Sequence, residues 1–90
     1  MARFEAAPLD YVNLYPMPAA TPDALYELGL DFALGRDVAI DLVEAHKWLN
    51  IAALKGNADA KRMRIEIAAE MARSELIEAQ RLARAWLQGQ

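Results

Sequence analysis

The single histidine, His46, stands between Glu44 and Lys47 in the stretch LVEAHKW, and it is the side chain here best suited to move a proton or bind a metal near neutral pH. A metal centre needs further imidazoles or a tight cluster of carboxylates beside it, and neither follows in the sequence. Asp37 and Asp41 flank a short loop, GRDVAI, without the ligand density and fixed glycine of a calcium loop. Ser74 is the only serine and has no base at a supporting position, there is no cysteine to act as a thiol nucleophile, and no glycine-rich phosphate loop appears. These residues point away from catalysis. No catalytic residue, metal site or cofactor is expected, and His46 reads as a boundary residue, partly packed and hydrogen-bonded.

What remains is a chain shaped for packing. At 90 residues there is room for one domain of about four short helices, and a hydrophobic fraction of 56%, much of it alanine, is enough for a core. Glu5, Pro8 and Asp10 interrupt the start where a secretory leader needs an apolar run, and no apolar stretch of about 18 residues occurs, so the expectation is a soluble, cytoplasmic protein with no membrane span. Charge is uneven: residues 1–60 carry nine acids and four bases, whereas residues 61–90 carry six bases and four acids. Lys61, Arg62, Arg64, Arg73, Arg81 and Arg84 are interleaved with Glu66, Glu70, Glu75 and Glu78, have no aromatic platform, and sit in a chain of net charge −3. They read as solvated helix faces, with no nucleic-acid partner.

The chain divides into an arm and a helical body. Residues 1–20 contain Pro8, Pro16 and Pro18, which remove backbone donors and bias their predecessors away from the helix, so this segment is expected to be extended or disordered. Its load of Phe4, Tyr11, Leu14, Tyr15 and Met17 is heavy for a solubilising tail. Tyr11, Leu14 and Tyr15 are therefore candidate docking residues, for a groove of this chain or of another.

From Thr21 the signals are helical. Thr21 can cap, Pro22 suits the first helical position and Asp23 complements the dipole, so helix one is expected over 22–34, ending at Gly35. Asp41 and Glu44 have capping-box spacing before a second helix over 42–55, closed by Gly56. A third helix is expected from 57 or 58 to 72 and a fourth over 74–88, with the Ala72 cap shifted to Ser74 or left to water. The fold is all-α, a set of α-α hairpins whose short connections impose antiparallel neighbours. Helix two is apolar nearly all round, with Ala45, Trp48 and Ala52 on one stripe and Ile51 and Leu54 on another side, and so must be covered on several faces. Ala45 and Ala52 are read as the small residues that meet Gly29 at a close crossing, with Trp48 filling the space beside them and its indole N–H needing a polar partner.

Ala24, Leu28, Gly29, Phe32, Gly35, Val38, Asp41, Ala45, Trp48, Ala52, Ala53, Gly56 and Ala60 stand in one register that resembles a Sel-one-like repeat, a relative of the tetratricopeptide repeat, over residues 24–60. Phe32 replaces a tyrosine of that pattern, Asp37 the second loop glycine, and Glu44 a lysine. Met71, Ala79, Gln80, Leu82, Ala83 and Trp86 resemble the helix that often closes such arrays, and residues 61–90 are assigned to closing helices. The resemblance implies a bacterial adaptor or regulator that binds a protein partner through a helix-lined surface. On helix one, Tyr26, Leu30 and Asp31, on the side away from Gly29, are the candidate partner-binding residues. The alternative is a self-assembling homodimer that uses the same apolar surface. Met63, Ile67 and Met71 are read as core.

Overall fold

In the computed structural model, which describes residues 21–89, four helices account for about three quarters of those residues, and no strand occurs among them. They are α1 (Pro22–Leu34), α2 (Leu42–Leu54), α3 (Ala58–Ala68) and α4 (Arg73–Gln88). The all-α reading therefore holds for the body. The arm expected over residues 1–20 lies outside the described residues. No described helix is long and apolar enough to cross a membrane.

Each boundary has a local cause. Thr21 accepts the Ala24 N–H at 3.1 Å and Pro22 opens α1. At the other end Gly35 turns left-handed, at φ 74°, so that its own N–H and that of Arg36 both reach the Asp31 carbonyl. Asp37 also lies at positive φ, 65°, a left-handed conformation that aspartate is one of the few non-glycine residues to tolerate. The Asp41 N–H then donates to the Phe32 carbonyl at 3.0 Å, tying the loop to α1. The Asp41 side chain caps α2 by accepting the Glu44 N–H at 3.1 Å. α2 closes in a Schellman arrangement: Gly56, at φ 110°, donates to Ala53 while Asn57 donates to Ala52.

Asn57 works in two directions. Its side-chain oxygen caps α3 by accepting the Ala60 N–H at 2.7 Å, and its amide nitrogen donates to the Asp23 carboxylate at 2.9 Å, which pins the start of α3 to the start of α1. α3 ends at Ala68, earlier than the expected 72, because tight turns bring Glu70 N–H to Ile67 and Met71 N–H to Ala68. Nothing in IAAEMA breaks a helix; the half-buried Met71, packed on the core, draws the chain round instead. α4 begins at Arg73 with no side-chain cap from Ala72, and Glu75 reaches back to the Ala72 N–H at 2.8 Å in place of a cap at Ser74.

α2 is the axis of the fold. α1, α3 and α4 all pack on it, whereas α3 and α4 share almost no contact with one another. Leu25, Trp48, Leu49, Ile51, Ala52, Ala60, Ile67 and Ala83 form the core, with Met63, Met71 and Trp86 packed against it. The close approach of α1 to α2 falls elsewhere than the small-residue stripe suggests. Leu49, fully buried, lies over Gly29, where a Cβ would stand 2.7 Å from the Leu49 Cγ and Cδ2. Ala45 and Ala52 are buried, but the glycine's partner is the leucine between them. Leu54, expected to need cover, is exposed, whereas Ile51 is completely enclosed.

Candidate functional site

The three adjacent chemical residues of α2 are separated by the helix itself. Glu44 and Lys47 turn toward Trp48: the indole N–H donates to Glu44 Oε1 at 3.1 Å, Lys47 Nζ pairs with the same carboxylate at 3.0 Å, and that ammonium lies 4.2 Å from the indole ring centre. Trp86 of α4 meets Trp48 edge-to-face, with centroids 5.5 Å apart at 79°. Glu44 is thus the polar partner that the indole required, and its carboxylate goes there rather than back to the backbone as a capping box demands. Glu44 is the residue that satisfies the buried tryptophan.

His46 faces a different direction. It is 4% exposed, and its Nδ1 has no hydrogen-bond partner, so it is more deeply buried and less satisfied than a boundary histidine. Burial, and then the nearby Arg64 guanidinium, hold its pKa below the usual 6.5, so the ring is neutral at physiological pH. With Asn50 and Leu54, one helical turn apart each, His46 floors a groove that runs along α2 between α3 and α4.

The groove exists because α3 and α4 splay apart over α2. It consists of two adjoining hollows of about 320 and 380 Å³, which share Asn50 and Gln80. Arg64, Ile65 and Ala68 form the α3 wall; Leu76, Gln80, Ala83, Arg84 and Leu87 form the α4 wall. Arg64 donates to the Asn50 side chain across the floor. Two apolar residues at the groove stand well out of the fold, Ile65 at 65% and Leu54 at 62% exposure. Among the described residues no carboxylate lines either hollow, and the polar groups along it are amides, one imidazole and two guanidiniums. Such a trough suits an extended chain that brings apolar side chains and a negative charge.

The residues singled out from the sequence are dispersed. Tyr26 is half-buried and packs on the core. Asp31 pairs with Arg36 at 3.1 Å, and its carbonyl accepts both turn N–H groups. Leu30 is half-buried. Tyr11, Leu14 and Tyr15 lie outside the described residues. Among the described residues, no group of three or more histidines, cysteines or acids is placed to hold a metal ion. Two of the basic residues of α3 and α4 are paired within one helical turn, Arg62 with Asp59 and Arg81 with Glu78. The groove was legible in part, since His46, Asn50 and Leu54 recur at four-residue intervals, as do Leu76, Gln80 and Arg84. Comparisons with protein families, with curated proteins and with solved structures find no match to this chain.

Proposed function

We propose that this chain is a non-catalytic protein-binding module, a small adaptor or regulator of the helical-repeat kind, and that it takes its partner in the groove between α3 and α4. The observation that carries this reading is the groove itself: a trough floored by a buried histidine whose Nδ1 has no partner among the described residues, and lined, among those residues, by two arginines and no acid. Ile65 and Leu54 stand exposed beside the two adjoining hollows, where an apolar partner could cover them. The α1 residues Tyr26, Leu30 and Asp31 are less suited to be anchors, because two of the three already serve the core and the α1 turn.

The test is affinity capture from native cells with the wild-type chain and with Leu76→Arg, which fills and charges the groove from its half-buried α4 wall. Proteins held by the wild type and lost with Leu76→Arg, while circular dichroism stays unchanged, support the reading; an identical set overturns it. A second reading, the homodimer, is favoured by a separate patch where Leu34, Val38 and Ile40 lie exposed around the α1–α2 turn. Light scattering over a range of concentrations separates the two: a mass of one chain, 10.0 kDa, removes the homodimer.

A further inference from the structure

The groove has a natural occupant in this chain. We infer that the segment Leu9–Met17, LDYVNLYPM, lies in the groove between α3 and α4 of its own molecule and competes there with the partner. The inference rests on the groove being the binding surface.

Direction and reach come first. The arm leaves the body at Thr21, and the start of α1 is held beside the start of α3 by the Asn57–Asp23 hydrogen bond. Asn57 follows directly on the turn that ends α2, so the arm departs at the Leu54 end of the groove. From Leu76 to Leu87 the α4 wall is about 16 Å long at the helical rise. The ten residues from Tyr11 to Thr21 span up to about 33 Å when extended. That length brings the chain past the Leu54–Leu87 mouth and along to the His46–Arg64 end. A shorter arm would stop at the mouth.

Chemistry comes second. Over this length the arm offers Tyr15 and Leu14 near the mouth, where Leu54, Ala83 and Leu87 provide apolar wall, and Tyr11 with Asp10 near the inner end. At that end wait Arg64, the His46 ring and the exposed Ile65. Among the described residues the groove has two arginines and no acid; the arm has Asp10 and Glu5 against a single Arg3. Pro16 and Pro18 favour the extended backbone that such a trough accepts, and they lower the entropy lost on docking. Because arm and groove belong to one molecule, the arm acts at a high effective concentration, and a partner must displace it.

The test uses the full chain. Because it contains no cysteine, Pro8→Cys introduces one thiol, which carries a nitroxide label beside the anchors without removing them. The proposal expects the amide signals of Asn50, Ile65, Ala68 and Gln80 to broaden relative to the reduced label, while those of Leu34 and Val38 stay sharp. Adding Tyr11→Ser and Leu14→Ser should restore the broadened signals. Mixing isotope-labelled wild type with unlabelled, nitroxide-bearing chain should leave the wild-type signals sharp. Broadening in that mixture alone would assign the groove to the arm of a second copy and overturn the inference, as would uniform broadening or none. If the arm fails this test but an added partner still shifts the groove residues, the groove reading stands without it. If the partner shifts residues elsewhere, the groove reading itself falls.

Discussion

Replacing Gly29 by alanine probes the tightest point of the fold with one methyl group. Away from tertiary contacts the change is favourable, because glycine in a helix interior is about 0.8–1.0 kcal/mol worse than alanine. Here the new methyl stands 2.7 Å from both the Cγ and the Cδ2 of Leu49 and 3.2 Å from its backbone nitrogen. A flexible tip could swing aside, but the Cγ is the branch point of a fully buried side chain, and the nitrogen belongs to α2. Relief therefore requires the two helices to part, an overpacking cost of about 1–3 kcal/mol. The clash outweighs the propensity gain, and the net loss is expected at up to about 2 kcal/mol, which for a domain of this size lowers the melting temperature by up to about 16 °C. The partner change isolates the cause. Leu49→Ala destabilises by itself, but Gly29→Ala added to it should become neutral or stabilising, with a coupling of about 1–3 kcal/mol. Urea denaturation of the four proteins closes the cycle. A Gly29→Ala chain more stable than wild type, or additive changes in the pair, refutes the close crossing of α1 and α2.

Trp48→Ala should cost about 3–5 kcal/mol by thermal unfolding, because it empties the buried space against Trp86 of α4; Glu44→Ala should cost about 1–3 kcal/mol by orphaning the indole N–H, and almost nothing once Trp48 is phenylalanine. Asn57→Ala should lose about 1–2 kcal/mol through the cap and the Asp23 bond together, whereas Asn57→Asp keeps the cap but sets a carboxylate against Asp23, a loss that chemical denaturation should find larger at low salt. His46 is held neutral in the fold by burial and by Arg64, while in the unfolded chain it takes up a proton near 6.5, so the unfolded state binds more protons below that pH. The urea midpoint should accordingly be flat above about pH 6.5 and fall as the pH drops below it, and His46→Leu should flatten that fall.

The helix starts were legible because Thr21, Asp41 and Asn57 are capping residues whose side chains behave in the fold as their positions suggest. Ends were legible where a glycine marks them, at Gly35 and Gly56, and missed at Ala68, where an alanine-rich run gives no stop and only the docking of Met71 turns the chain. The need for a polar partner at Trp48 could be read from the residue type, but that Glu44 supplies it could not, since the same spacing is that of a capping box. Gly29 was legible as a close approach and misread as to its partner, because Leu49 and the alanines lie on neighbouring stripes of α2. His46 was misjudged because its burial comes from α3 and α4, not from its neighbours in sequence. The groove depends on the angle between two helices that scarcely touch, which is set by what each gains on α2 and leaves only a faint periodic trace in the sequence.

The most direct test of the central claim is amide chemical-shift mapping of the labelled full chain, titrated with the protein captured by wild type and lost with Leu76→Arg. The account predicts the largest shifts along the groove, at His46, Asn50, Ile65, Ala68 and Gln80. Shifts concentrated instead on Tyr26, Leu30 and Asp31 of α1, or on Leu34, Val38 and Ile40 at its turn, would contradict it.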